Sequence, residues 1–541
     1  MRYLGVLLVA ALAFFSFRYQ EIRSEAIRRQ LESGRVAERL ATAAPRSSDG
    51  PLHISVEEER RQTTELPAPA AVKDGSSTSS RAEPGDGAVP LPPTESQRLS
   101  ISSAESPSSA VETSEVRGGE RSAGQTGLAV SQQRRSIRQA GPVHAQMLMP
   151  ANFEYLGAFR PPHTDAAGHR FSYGGCGLAY RPGNEADVDT GSLYLVGHQL
   201  EQRVAEISIP TPVISSRKSM DDLPVARVLQ DLGDITAGLL TALTDDPSQP
   251  FELGGLQVVD DRLHWTMYRY YNVDGLDFYS HATSSLNIAD PQVEGPWHLG
   301  PQDSGRPEWH AHKYAGYIFD VPEREAEQWL GGRRLISGLQ VSTGLATSSN
   351  GPAMISYRLP DRGSPSGIIN DALPLMWHDL SRPAAGFHPA DRWTGAAWLT
   401  LGDKQSVIVV GRKALGEVYY GDARPTDCLP DKGYHGDRYE AQVQFYSPAS
   451  LIHAAHGKLE AFQVEPWYVW DNQNPGGGIG QYLFPTCHQL IGGITVDHKR
   501  NQIYISQVLA GATTDQEFEY LPVIHVFRIS EPSVAETTVA P

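Results

Sequence analysis

One pattern constrains this chain more than any other: a four-strand unit recurs along residues 150–530. Each unit opens with a small, apolar run: GGCGLAYRPG (174–183), GGLQVVDD (254–261), YAGYIFDVP (314–322), TGAAWLTLGD (394–403) and GGITVDHKRN (492–501). A turn leads to a second run: SLYLVGH (192–198), RLHWTMYRYY (262–271), RRLISGLQV (333–341), QSVIVVGRK (405–413) and QIYISQV (502–508). A third follows a loop of variable length: RVAEISIP (203–210), SHATSSLN (280–287), PAMISYRLP (352–360), YEAQVQFYSP (439–448) and VIHVFRIS (523–530). The fourth often carries Trp: VARVLQDL (225–232), GPWHLG (295–300), LPLMWHDL (373–380) and EPWYVWD (465–471). Short β-branched or alternating runs punctuated by Gly, Pro and Asp read as strands. Their return in one order marks a repeat architecture.

The fifth unit has no fourth strand, but a run of matching character, FEYLGAFRP (153–161), precedes the first unit. If it supplies the missing edge, a ring of sheets closes and no open edge remains. The expected fold is therefore all-β, a five-bladed β-propeller over residues 146–530 closed by its N-terminal strand. First strands begin 80, 60, 80 and 98 residues apart, which leaves six or seven blades as the alternative. Gly and Ala crowd the first strands because blades converge at the axis. Trp297, Trp377, Trp467 and Trp470 fall on fourth strands, where the sheets diverge and need bulk.

Composition separates the rest of the chain from this domain. Of 541 residues, 46 are Lys or Arg and 63 are Asp or Glu, a net charge of −17. Residues 146–541 alone hold 28 basic and 46 acidic side chains, a net of −18, which argues against nucleic acid as a partner. Tyr3–Phe17 is an apolar run bracketed by Arg2 and Arg18, short for a span of about 20 residues but extendable by interfacial anchoring. Residues 1–20 are read as an uncleaved signal-anchor, with a cleaved signal peptide (Ala11-Leu12-Ala13) as the rival. Arg18, Arg23, Arg28 and Arg29 would by the positive-inside rule hold the following chain in the cytoplasm. The anchor-and-linker plan favours export, to the periplasm or cell surface. Residues 21–145 are expected to be a disordered tether with a short juxtamembrane helix at 20–40. From Ala41 to Ala145 aromatics are absent and Ser, Pro, Gly, Ala, Glu and Thr dominate. Residues 531–541 read as a flexible tail.

In a propeller, the loops joining strands two to three and four to the next blade share one face. Here they are long: 270–279, 302–313, 381–393, 414–438 and 471–490. The opposite face has tight turns at 259–262 and 401–404, although 183–191 is long. Elaborated loops on a rigid scaffold are the usual place for binding. Tyr271, Trp309, Tyr434 and Tyr482 are candidate ligand-binding rings on that face. His310 and His312 flank Ala311, and i and i+2 in an extended segment point the same way. With His488 and Asp391 they make a candidate divalent-metal site. Asn272-Val273-Asp274-Gly275-Leu276-Asp277 suggests Ca²⁺ or, more simply, an Asp-Gly turn. Cys428 and Cys487 lie in loops of the same face and are candidates for one disulfide, while Cys176 reads as a buried small hydrophobe.

Glu252, Glu308 and Asp391 precede successive inner strands and are candidate catalytic carboxylates, since glycoside cleavage needs two across the scissile bond. The five-fold pattern and the GPW run (295–297) resemble the five-bladed glycosidases, the arabinanase-like and invertase-like enzymes. The resemblance implies catalytic acids at or near the inner strands of the early blades. Blade one departs from it, with Tyr173-Gly174-Gly175-Cys176 where the family's base would stand. The sequence also resembles uncharacterised bacterial secreted propeller proteins. No G-x-S-x-G elbow, HExxH, CxxC or P-loop is present. Three functions stay open: a membrane-tethered, extracytoplasmic propeller binding a small molecule, glycan or peptide; a glycosidase-like hydrolase; or a structural, protein-docking propeller.

Overall fold

The computed structural model describes residues 147–183, 191–246, 249–270, 277–302, 306–341, 349–424, 432–487, 489–514 and 519–532. The anchor, tether and tail, Tyr271, the 272–276 stretch, Cys428 and His488 lie outside these residues, as does the side chain of His312. Among the described residues no helix is long and apolar enough to cross a membrane.

Leu148 is fully buried and Met147 bridges to Gln405, so the chain packs onto the domain from its first described residues. Strand β1 (Phe153–Phe159) comes next. Blade one is built from β2 (Leu178–Arg181), β3 (Ser192–Val196), β4 (Val204–Ser208) and β5 (Val228–Gly233). Blade two is β6 (Phe251–Val259), β7 (Arg262–Arg269), β8 (His281–Ser285) and β9 (Glu294–Leu299). Then follow β10 (Tyr317–Asp320), β11 (Leu335–Gly338), β12 (Gln340–Val341), β13 (Met354–Tyr357), β14 (Gly367–Ile369) and β15 (Ala372–Met376). Of these, β10, β11, β13 and β15 form blade three. Blade four is β16 (Arg392–Leu401), β17 (Lys404–Asp422), β18 (Lys432–Tyr446) and β19 (Tyr468–Trp470). Blade five is β20 (Ile491–Asp497), β21 (Gln502–Gly511) and β22 (Leu521–Ile529), with β1 as its outer strand. The protein is a five-bladed β-propeller, not one of six or seven blades.

Strand β1 runs antiparallel to β22, from Phe153 opposite Ile529 to Phe159 opposite Ile524. The two short strands left over reach into neighbouring blades. β12 pairs antiparallel with β16 of blade four, and β14 pairs in parallel with β9 of blade two.

The inner strands touch in the order β2, β6, β10, β16, β20 and back to β2. Their glycines make this approach possible. A methyl added at Gly254 would collide with the carbonyl oxygen of Ala315 in the next blade, and one at Gly492 with that of Gly175. Five apolar clusters fill the five junctions. Leu253 and Trp265 meet Tyr194 and Val196 between blades one and two, and Phe527 meets Trp470 and Val443 between four and five. Trp297, Trp377 and Trp470 are buried as expected, but the tryptophans do not keep to the rim. Trp393 and Trp398 sit fully buried on the inner strand β16, and Trp265 on β7.

Two other expectations need correction. Residues 414–438 are not simply a loop: β17 and β18 continue into a long hairpin, pairing as far as Asp422 with Lys432. The face opposite the long loops also carries more than turns. Helix α2 (Glu323–Trp329) joins β10 to β11 and α3 (Pro448–Ala455) joins β18 to β19, whereas the short α1 (Leu239–Leu243) lies in the β5–β6 connection. Ala326 and Leu330 of the first connection and Leu451 of α3 share one core with Trp393 and Trp398.

Candidate functional site

The long-loop face is dominated by the β17–β18 hairpin and the 471–490 connection. Cross-strand ring pairs stiffen the hairpin. Tyr419 stacks on His435 at 5.2 Å, Tyr420 meets Tyr434 edge to face at 4.9 Å, and the Arg424 guanidinium lies 3.8 Å over Tyr419. The connection is held by local hydrogen bonds. The Trp470 indole donates to the Gly477 carbonyl, Gln481 Nε2 to Gly478, and Gln489 Nε2 to Thr486. Cys487 is disulfide-bonded and Cys176 is a free thiol whose burial pushes it up to about 12. Between hairpin base and connection lies an open groove of about 640 Å³. It is lined by Asp437, Arg438, Tyr439, Asn472, Gln481, Thr486 and Gln489, with glycines 477, 478 and 480 and Cys487.

The three candidate carboxylates stand in three settings. Asp391 is 1% exposed and both its oxygens are committed. Lys413 Nζ donates to Oδ1 and Oδ2 at 2.8 and 2.7 Å, and the amides of Ala414 and His388 donate to the same two oxygens. Burial raises the Asp391 carboxyl and lowers the Lys413 ammonium, each opposed by the other's charge. That is a buried ion pair in which each carboxylate oxygen already has its hydrogen-bond donors. Glu308 pairs with Arg306 on the turn before β10. Glu252 lies directly across the strand pair from Tyr268, with the Gln199 amide 3.5 Å away.

Of the metal candidates, His488 and the His312 side chain lie outside the described residues. Ala311–Lys313 forms a 3₁₀ turn instead of an extended segment, so the i, i+2 argument that aligned His310 with His312 does not apply. His310 turns to Asp277, whose Oδ1 lies 3.0 Å from its Nδ1. Among the described residues no group of three or more His, Cys, Asp or Glu side chains could hold a metal ion.

Of the ring candidates, Tyr434 stays on the hairpin and is half-buried. Tyr482 packs 4.7 Å from Tyr155 and 5.3 Å from Phe527, so its ring serves the seam with β1. Trp309 lies behind Gly300, packed with Trp297, Tyr314 and Trp377. Both are partly buried rings packed against apolar clusters.

Several charged residues escaped the sequence reading. Lys313 is fully buried beside the Glu308 and Asp379 charges, and burial brings its ammonium down to about 8. Asp379 is held at about 2, first by the Arg382 guanidinium it accepts from. The Asp379–Arg382 pair is local, three residues apart, whereas the setting of Lys313 beside Asp379 depends on two loops meeting.

No protein-family model matches the chain, and no curated protein matches it. The functional reading therefore rests on the geometry of this face.

Proposed function

We propose that the protein is a membrane-tethered, extracytoplasmic propeller that binds a neutral glycan in the groove between the β17–β18 hairpin and the 471–490 connection. The observation that carries this reading is the chemistry of the groove lining. Asn472, Gln481 and Gln489 offer amides that both donate and accept, Arg438 donates, Asp437 accepts, and Thr486 does either. Sugars present the same mixture of donors and acceptors with one apolar face, for which the Tyr439 ring at the groove is suited. The domain's net charge of −18 repels polyanions and leaves uncharged ligands unaffected.

The β1–β22 pairing serves as the clasp that closes the ring, and the apolar Tyr3–Phe17 run as the anchor, with the polar stretch to residue 145 giving reach. A panel of neutral oligosaccharides, acidic oligosaccharides and short peptides, screened by thermal shift on the full chain, tests the reading. A neutral oligosaccharide should raise the melting temperature by linkage. Arg438→Ala and Gln481→Ala should each weaken that ligand at least tenfold. Stabilisation by peptides alone, or by a glycan that both variants bind normally, would overturn it.

A further inference from the structure

Arg392 opens the inner strand β16 of blade four, yet its guanidinium carbon stands 6.0 Å from the ring centre of Tyr270, just beyond β7 of blade two. Blade three separates these two blades around the ring, so their residues meet across the central channel. The β17–β18 hairpin reaches the same place, because a methyl added at Gly433 would stand 3.7 Å from the Tyr270 hydroxyl. Tyr268 is two positions before Tyr270 and lies directly across the strand pair from Glu252. Its phenol feels the charges of both Glu252 and Arg392. Side chains of blades two and four thus converge where the hairpin approaches the channel.

Polar groups at this place lack partners. The partly buried Arg392 side chain makes no ion pair or hydrogen bond among the described residues. Its cross-strand partner is Arg412, a second guanidinium leaving the same face of the sheet and only 2% exposed. Like charges directly opposite each other destabilise a strand pair, and an anion beside them relieves the repulsion. The Tyr268 hydroxyl likewise has no hydrogen-bond partner among the described residues. Burial first, then Glu252, raises this phenol well above its ordinary value, so it remains a donor.

We propose that the channel between Arg392 and Glu252 binds a small hydroxycarboxylate of the sugar-acid type. The Arg392 fork suits a carboxylate bidentately, and the Tyr268 hydroxyl donates to the same group. Glu252, with the Gln199 amide 3.5 Å away, disfavours a bare anion but accepts from ligand hydroxyls. A donor fork facing an acceptor selects a molecule with a carboxylate at one end and hydroxyls at the other. Tyr270 offers its ring to the ligand's apolar face. The domain's acidity does not exclude a monoanion here, since exposed charges beyond about 8–10 Å are screened. None of these four residues lines the groove proposed for neutral glycans, so the two sites stand or fall separately.

The test is calorimetric titration of the full chain with sodium D-glucuronate, D-galacturonate and D-gluconate, beside D-glucose and sodium sulfate. At least one sugar acid should bind one to one, and glucose and sulfate about tenfold more weakly or worse. Arg392→Gln should lower the affinity about tenfold or more, with a cooperative melt retained. Tyr268→Phe removes one hydroxyl, keeps the ring, and should weaken binding in the same direction. If the Arg392→Gln chain does not fold, Arg392→Lys keeps the charge, loses the fork, and should also bind more weakly. Binding of no sugar acid, equal binding of glucose or sulfate, or wild-type affinity in the folded Arg392 variant would sink the proposal.

Discussion

The Nζ of Lys413 lies 2.8 and 2.7 Å from the two carboxylate oxygens of Asp391, joining the middle of the second strand of blade four to the residue just before its first. The pair satisfies both oxygens of a carboxylate that is 1% exposed. Asp391→Asn leaves a buried ammonium unpaired and should cost about 3–5 kcal/mol. Combining it with Lys413→Met should recover most of the loss. Urea denaturation of the two variants checks this, and a cost under about 1 kcal/mol for the single change would contradict the pairing.

Contact at the hub sets a second expectation. Gly254→Ala drives a methyl onto the Ala315 carbonyl of the neighbouring inner strand. Overpacking of this kind should destabilise by about 1–3 kcal/mol. The drop in melting temperature measures it, and a neutral result would mean that the blades do not meet there.

Phe153 anchors β1 through ring contacts with Phe445, Trp470 and Phe527 at 5.7, 5.8 and 6.4 Å. Phe153→Ala should cost about 3–5 kcal/mol. Increased proteolysis near β22 should accompany the loss, because that strand's edge depends on β1.

Burial depresses His264, His281 and His525 to about 3 and His378 to about 4, from an ordinary value of 6.5. Below pH 6.5 the unfolded chain takes up protons that the folded chain refuses. Stability is therefore full above pH 6.5 and falls progressively as pH drops towards 3. Denaturation midpoints measured from pH 7.5 to 4 should decrease steadily. His281→Gln should reduce the slope, since it removes one such proton while keeping a polar partner for Ser337, 2.9 Å away. A flat profile would show that these rings are not buried neutral.

The blades were legible in the sequence because hub geometry writes itself locally. Paired glycines such as Gly254-Gly255 and Gly492-Gly493 exist where two backbones meet, and alternation marks the strands around them. The hairpin beyond Ala414 was harder to see, because Gly416, Gly421, Gly433 and Gly436 interrupt the period-two pattern that Val418–Tyr420 and Tyr434–His435 continue. Trp393 and Trp398 were not foreseen at the hub, and Trp393 packs against Gly411 of the adjacent strand in its own blade. The candidate site was largely illegible. Asp391 with Lys413, and Arg392 with Tyr270, are brought together by tertiary packing, and no spacing along the chain encodes those meetings.

The two borrowed strands have a dynamic consequence. A chain of self-sufficient modules can open one module at a time. Here β14 lends itself to blade two and β12 to blade four, so blade three cannot melt without unravelling an edge on each side. Amide exchange in Trp297–Leu299, Ile336–Ser337 and Ala396–Trp398 should accordingly proceed with one shared opening free energy, making the middle of the wheel a single cooperative unit.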